Sequence, residues 1–144
     1  MDTLTPKKRS WNMSRIRGKD TRPEKKIRSL LHAKGYRFKL SDKILPGRPD
    51  IVLPKYRAVI FVHGCLWHRH HDCKYAYTPK SRIEFWKEKF AKNVKRDKKN
   101  LSLLQRAGWL TIAVWECEIK KNTEDVLNRV SEILQQQLKM REVA

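Results

Sequence analysis

Leu45-Pro46-Gly47-Arg48-Pro49-Asp50-Ile51-Val52-Leu53 is the stretch on which the fold turns. Two prolines and a glycine within four residues make a tight turn, because proline fixes φ and glycine tolerates the left-handed region. The run Ile51-Val52-Leu53 that follows is short, branched and apolar, which is the composition of a buried strand. Asp50 therefore stands at the mouth of a strand, where an acid can hold a metal. Carboxylate oxygen is the ligand Mg²⁺ prefers, usually one or two carboxylates with water and substrate phosphate completing the octahedron. An aspartate after proline is also a common turn residue that bonds nearby amides, so its neighbours must decide its role.

Working outward from that strand, residues 36–40 alternate and residues 56–62 are rich in β-branched and aromatic side chains, and Pro and Gly turns bound all three segments. A three-stranded meander is expected. Upstream, Thr21-Arg22-Pro23-Glu24 reads as a capping box opening a helix with Ile27, Leu30 and Leu31 on one face and Gly35 at its end. Downstream, Ile83, Trp86, Phe90, Val94, Leu101 and Leu104 give residues 81–107 a helical period that stops at Gly108. Residues 109–115 form a fourth, nearly continuous apolar strand, and residues 123–138 a last amphipathic helix. The order is α-β-β-β-α-β-α, an α/β class with a mixed sheet flanked by helices. Residues 1–20 are basic, with scattered large apolar residues (Trp11, Met13, Ile16), and are expected to be an arm that orders on a partner, leaving residues 21–144 as one domain.

Lys and Arg total 34 against 15 Asp and Glu, a net charge of +19. That excess exceeds what solubility requires and points to a polyanionic partner. No stretch approaches the roughly 18 consecutive apolar residues of a membrane span, so nucleic acid is preferred to a bilayer. The first nine residues are polar and basic rather than apolar, so a cytoplasmic location is expected. Three cysteines, an odd number at uneven spacing, argue for metal binding or burial rather than disulfides.

His63-Gly64-Cys65-Leu66-Trp67-His68-Arg69-His70-His71-Asp72-Cys73 concentrates imidazole and thiol, the usual ligands of tetrahedral Zn²⁺. Cys65, His70 and Cys73, with Cys117 beyond the fourth strand, supply a Cys₃His set for a structural zinc, and His71 is the alternative to His70. His63 and His68 are then free for other chemistry. His63 ends the strand beside Asp50, where a near-neutral imidazole can take a proton from water or bond a phosphate. Trp67 with Leu66 in that loop, and Phe85-Trp86 among Arg82 to Lys89, set wedge-shaped side chains among phosphate-binding ones. Phe85 and Phe90 are expected in the core, Trp67 exposed, and Trp86 either. The lysines at 87, 89, 92, 95, 98 and 99, with Arg96, have few acids beside them and read as a phosphate-binding face.

Pro-Gly-Arg-Pro-Asp at 46 to 50, Phe-Val-His-Gly-Cys-Leu-Trp-His at 61 to 68, Glu-Phe-Trp at 84 to 86, Asn-Val-Lys-Arg-Asp at 93 to 97 and Val-Trp-Glu-Cys at 114 to 117 together resemble the very-short-patch-repair (Vsr) endonucleases. The resemblance covers nearly the whole chain. It implies the PD-(D/E)xK, restriction-endonuclease-like core, in which an acid after the Pro-Asp turn acts with an acid and a lysine on the next strand. Here Phe61-Val62-His63 stands in place of that second pair, a replacement typical of Vsr proteins. By the same resemblance Asp50 and the backbone carbonyl of Val62 bind Mg²⁺, His68 is the water-activating base oriented by Glu24, and His63 faces the phosphate. Zinc is carried by Cys65, His70, Cys73 and Cys117. Leu66, Trp67 and Trp86 wedge into DNA, although the best-known relatives have an aromatic residue where Leu66 stands. The implied reaction is the Mg²⁺-dependent nicking of double-stranded DNA 5′ to the thymine of a T:G mispair, by a monomer. Another nuclease on this fold, or a zinc-bearing DNA-binding module without catalysis, are the competing readings.

Overall fold

The computed structural model describes residues 21–40, 43–74, 76–77 and 79–143, the side chains of Leu66, Trp67 and Val143 excepted; the expected arm, residues 1–20, lies outside them. Helix α1 (Arg22–Ala33) begins where Thr21 and Pro23 put it. Thr21 Oγ1 accepts the Glu24 N–H at 3.4 Å, and a proline in the first turn lacks only a proton that no helical carbonyl could accept. Gly35, at φ 98°, follows the helix end as expected.

Strands β1 (Lys39–Leu40), β2 (Ile51–Leu53) and β3 (Ala58–His63) pair antiparallel in sequence order, which is the expected meander. The first strand is shorter than its alternation implies. Tyr36 turns inward, packs on Tyr56 at 5.5 Å and shares a 2.7 Å hydrogen bond with Ser131, so only the last two residues pair with the three-residue β2. After β3 come a single helical turn, α2 (Cys65–His68), and the long helix α3 (Ile83–Arg106). Strand β4 (Leu110–Trp115) then returns parallel to β3, giving a mixed sheet in the order β1-β2-β3-β4.

Helices α4 (Glu116–Lys121) and α5 (Thr123–Val143) complete the chain. The short α4 carries no readable period of its own; Glu118 makes it, accepting the Trp115 N–H at 3.1 Å and two bonds from Arg129 of α5.

The sheet is buried on both faces, which is why β2 reads as an unbroken apolar run. On one face Ile51, Leu53, Ile60, Ile112 and Val114 pack with Ile27 and Leu31 of α1 and Val130 and Leu134 of α5. On the other, Val52, Val59 and Phe61 meet Leu104 of α3 and Trp109. The result is a single three-layer α/β/α domain. Among the described residues no helix is long and apolar enough to cross a membrane. What this packing fixes is the corner where the Pro/Gly turn, the end of β3, the start of α1 and the middle of α3 converge.

Candidate active site and metal centre

Asp50 closes the Pro/Gly turn, and its Oδ2 accepts the Val62 N–H at 2.6 Å, extending the β2–β3 contact past the Ile51–Ile60 pair. Burial pushes the Asp50 carboxyl from its ordinary 3.8 up to about 7; the Val62 N–H opposes that rise, and the carboxylate of Glu24, in hydrogen-bonding reach, adds to it. Glu24 is itself buried (3% exposed), and its Oε2 accepts from Arg28 at 3.1 Å. The carboxylate half of the expected capping box is thus turned toward the site. Two carboxyls this close cannot easily ionise together, and a divalent cation relieves both. The Asp50 carboxylate, with that of Glu24 beside it, fits Mg²⁺ on that ground.

His68 lies near enough to Asp50 to act on its charge. Its ring is held by Asp97 of α3, with Nδ1 and Oδ2 2.6 Å apart. An ionised carboxylate can only accept, so Nδ1 carries the proton toward Asp97, and in the neutral tautomer Nε2 is the acceptor. Asp97 is thus a hydrogen-bond partner that the fold supplies to the His68 ring, while the Glu24 carboxylate bonds Arg28 and lies against Asp50. His63, at the end of β3, stacks on His68 at 4.0 Å and 8°. Burial lowers its imidazole to about 4, helped by the His68 charge and opposed by Asp97, so the ring is neutral near pH 7. Among the described residues its buried Nδ1 meets no hydrogen-bond partner. A cavity of about 700 Å³ opens beside these rings, lined in part by Arg48, Phe61, Arg96 and Lys98. Two imidazoles and the Asp97 carboxylate thus border a space with cationic side chains, suited to a phosphodiester.

About the second motif, the donor atoms of Cys65, His70, Cys73 and Cys117 all lie within 4.8 Å of one another. The Cys117 Sγ and His70 Nδ1 are 3.3 Å apart, and none of the three cysteines is in a disulfide. Donors around a tetrahedral zinc, with Zn–S near 2.3 Å and Zn–N near 2.0–2.1 Å, fall roughly this far apart, so the set fits the ion. Without a cation, burial pushes the Cys65 thiol up to about 12 and raises Cys117 as well. His71 points away, 94% exposed and paired with Asp72 at 3.1 Å, which leaves His70 as the imidazole of the cluster.

One aromatic expectation is corrected, and one left open is answered. Trp86 is buried, stacked on Phe90 at 5.7 Å, while Phe85, expected in the core, is 43% exposed with Arg82 over its ring at 4.4 Å. Adjacent residues of a helix point about 100° apart, and the phase that buries the indole exposes the phenyl. The side chains of Leu66 and Trp67 lie outside the described residues. On the outward side of α3, Lys87, Lys95, Arg96, Lys98 and Lys99 are exposed, as a phosphate-binding face requires. Sequence reasoning gave Asp97 no role, although it and Glu88 are the only acids from 87 to 99.

The family described as DNA mismatch endonuclease Vsr has a model that matches residues 1–75, taking in Glu24, Asp50, both site histidines and most of the ligand loop. Type II nicking enzyme V.XorIIP of Xanthomonas oryzae pv. oryzae is 49% identical over 118 residues, 82% of this chain and 86% of the relative. DNA mismatch endonuclease Vsr of Escherichia coli is 48% identical over 122 residues, covering 83% of this chain and 78% of its own. Type II nicking enzyme V.NmeAIP of Neisseria meningitidis is 44% identical over 131 residues, 90% of this chain and 93% of the relative.

Proposed function

This chain belongs to the DNA mismatch endonuclease Vsr family, and on that premise we propose that it nicks one strand of duplex DNA 5′ to the thymine of a T:G mispair left by deamination of 5-methylcytosine. The observation that carries this reading is the convergence of Asp50 and His68 at one corner of the sheet, Glu24 set against the first and Asp97 against the second. The α-β-β-β-α-β order around a mixed sheet supports a PD-(D/E)xK core, with His63 where that fold elsewhere has its lysine.

Asp50 and the Val62 carbonyl would hold Mg²⁺, which when bound neutralises charge on the phosphate and acidifies water. His68, its Nδ1–H committed to Asp97, takes the proton of the attacking water at Nε2. The water oxygen forms a new bond to phosphorus as the P–O bond to the leaving strand breaks, and the departing oxygen takes a proton from solvent. His63, neutral near pH 7 and lining the cavity, offers a ring N–H to a phosphate oxygen. Glu24 keeps the Asp50 carboxyl turned toward the phosphate.

Cys65, His70, Cys73 and Cys117 would hold a structural Zn²⁺ that fixes the loop carrying Leu66, Trp67 and His68. Leu66 and Trp67 wedge beside the mispair, and Trp86 joins them only by leaving its packing on Phe90. The face of α3 and the arm 1–20 grip phosphates, and one chain acting in the cytoplasm suffices for one nick. Nicking assays on T:G, matched and branched duplexes, with and without Mg²⁺, test this. One-strand cleavage confined to the T:G duplex and requiring Mg²⁺ is expected. Equal cutting of matched DNA would indicate a different nuclease, and no cutting at all a binding module.

A further inference from the structure

Between the cysteine-histidine cluster and the catalytic corner runs a continuous series of rings. His70, whose Nδ1 approaches Cys117 Sγ at 3.3 Å, stacks on Trp115 at 4.2 Å and 9°. Trp115 meets His63 edge to face at 5.0 Å and 75°. His63 stacks on His68 at 4.0 Å and 8°, and His68 bonds Asp97. Trp115 is the only member of the series that touches both sites, and the reaction just described gives it no task.

We propose that Trp115 is a positioning residue that couples the two centres: its ring holds His63, and through it His68, in register with the ligand cluster, so that the filled metal centre sets the catalytic geometry. Three anchors make the indole a rigid spacer. It sits directly across the β3–β4 ladder from His63. Its backbone N–H is bonded to Glu118, which Arg129 of α5 holds with two bonds of 3.3 and 3.0 Å. Two residues on, Cys117 joins the ligand set, so the end of β4 is tied at once to the sheet, to α5 and to the cluster. Flat faces restrict how a stacked ring can turn, whereas an aliphatic side chain of similar bulk fills the space without fixing the angle.

The kinetic arm of the test rests on the nuclease reading, and two other arms do not. Trp115→Phe keeps a flat face, while Trp115→Leu keeps only bulk. In the zinc-loaded protein, Trp115→Leu is expected to lower kcat on a T:G duplex by about ten- to a hundredfold with KM within about threefold, because a small misplacement of reacting groups is felt in the chemical step. It should also pass zinc to a chelator about tenfold faster, since a ligand freed from its supporting contacts holds metal less well. Trp115→Phe should restore both properties to within about threefold of the wild type. Wild-type behaviour of the leucine variant, equal impairment of both variants, or lost kcat with unchanged zinc transfer would each overturn the coupling. A third arm needs no variant and survives if the leucine variant fails to fold. Replacing Zn²⁺ by the larger Cd²⁺ in the unmodified protein should move the imidazole NMR signals of His63 and His68 as well as those of His70. Movement of the His70 signals alone, or a protein purified without chelator that holds no zinc, would refute it.

Discussion

Asp50 and His63 are pushed in opposite directions by the same burial, and stability against pH reports both. Asp50 favours its protonated form in the folded chain, so its contribution is complete below 3.8 and fades as pH rises through about 7. His63 favours its neutral form, so its contribution is complete above 6.5 and is lost as pH falls through about 4. Without Mg²⁺ the two slopes largely cancel between pH 4 and 7 in the wild type. Asp50→Asn should leave the His63 slope, with the melting temperature rising by about 5 °C across that range, and His63→Gln should leave the opposite slope. Parallel melting curves for all three proteins would remove both shifts from the site. Asp97→Asn should slow nicking by about 10²–10⁴-fold with duplex affinity unchanged, as loss of an orienting carboxylate does; a variant within threefold of the wild type would take Asp97 out of the site. Glu24 entered the site only through the family resemblance, whereas the meeting of Asp50, His63 and His68 at one corner was legible because their motifs combine residue types that metal and proton chemistry needs. The partner of His68 was not, because which acid reaches its ring depends on how α3 docks across the sheet, a long-range fact that local spacing does not encode.

Helix α3 does at the level of elements what Asp97 does for one ring. Gly47, at φ 78°, lies under it so closely that an added Cβ would stand 3.1 Å from Asn100 Cβ and 3.2 Å from the Phe61 ring. The Pro/Gly turn that delivers Asp50 is therefore clamped between α3 and β3, and only glycine fits there without strain. Gly47→Ala is expected to cost about 1–3 kcal/mol of stability, measured by denaturant unfolding, and to lower nicking more than duplex binding. An alanine variant as stable and as active as the wild type would show that the turn is not clamped. The long elements were readable from period and caps, down to Thr21 and Gly35. Short ones were not: α4 exists because Glu118 meets Arg129, and β1 shrinks because Tyr36 prefers Tyr56 and Ser131. The exposure of Phe85, expected in the core, has a similar origin, since α3 carries apolar residues on more than one side and its buried face is the one with Trp86, Phe90 and Leu104.

At the scale of the whole molecule, the +19 charge is the property a duplex meets first. Neutralising roughly 6–10 phosphates implies a loss of about 10³–10⁵ in affinity between 50 and 200 mM salt, for matched and mismatched duplexes alike. Replacing exposed lysines of α3, such as Lys95 and Lys99, by glutamine should flatten that salt slope by about one unit for each phosphate no longer neutralised, without changing the preference for T:G; an unchanged slope would place the DNA on another face. Composition alone made the polyanion legible, and the apolar total made one domain legible. The two-faced core, α1 and α5 on one side and α3 on the other, needed the parallel return of β4. The central claim is that Asp50 and His68 act together on one phosphodiester, and single-turnover nicking of a T:G duplex by Asp50→Ala, His68→Ala and the double variant tests it. Each single change should slow cleavage by about 10²-fold or more, with the double variant little slower than either, because groups acting as a unit are not additive. Singles that cut at the wild-type rate, or effects that multiply in the double variant, would contradict it.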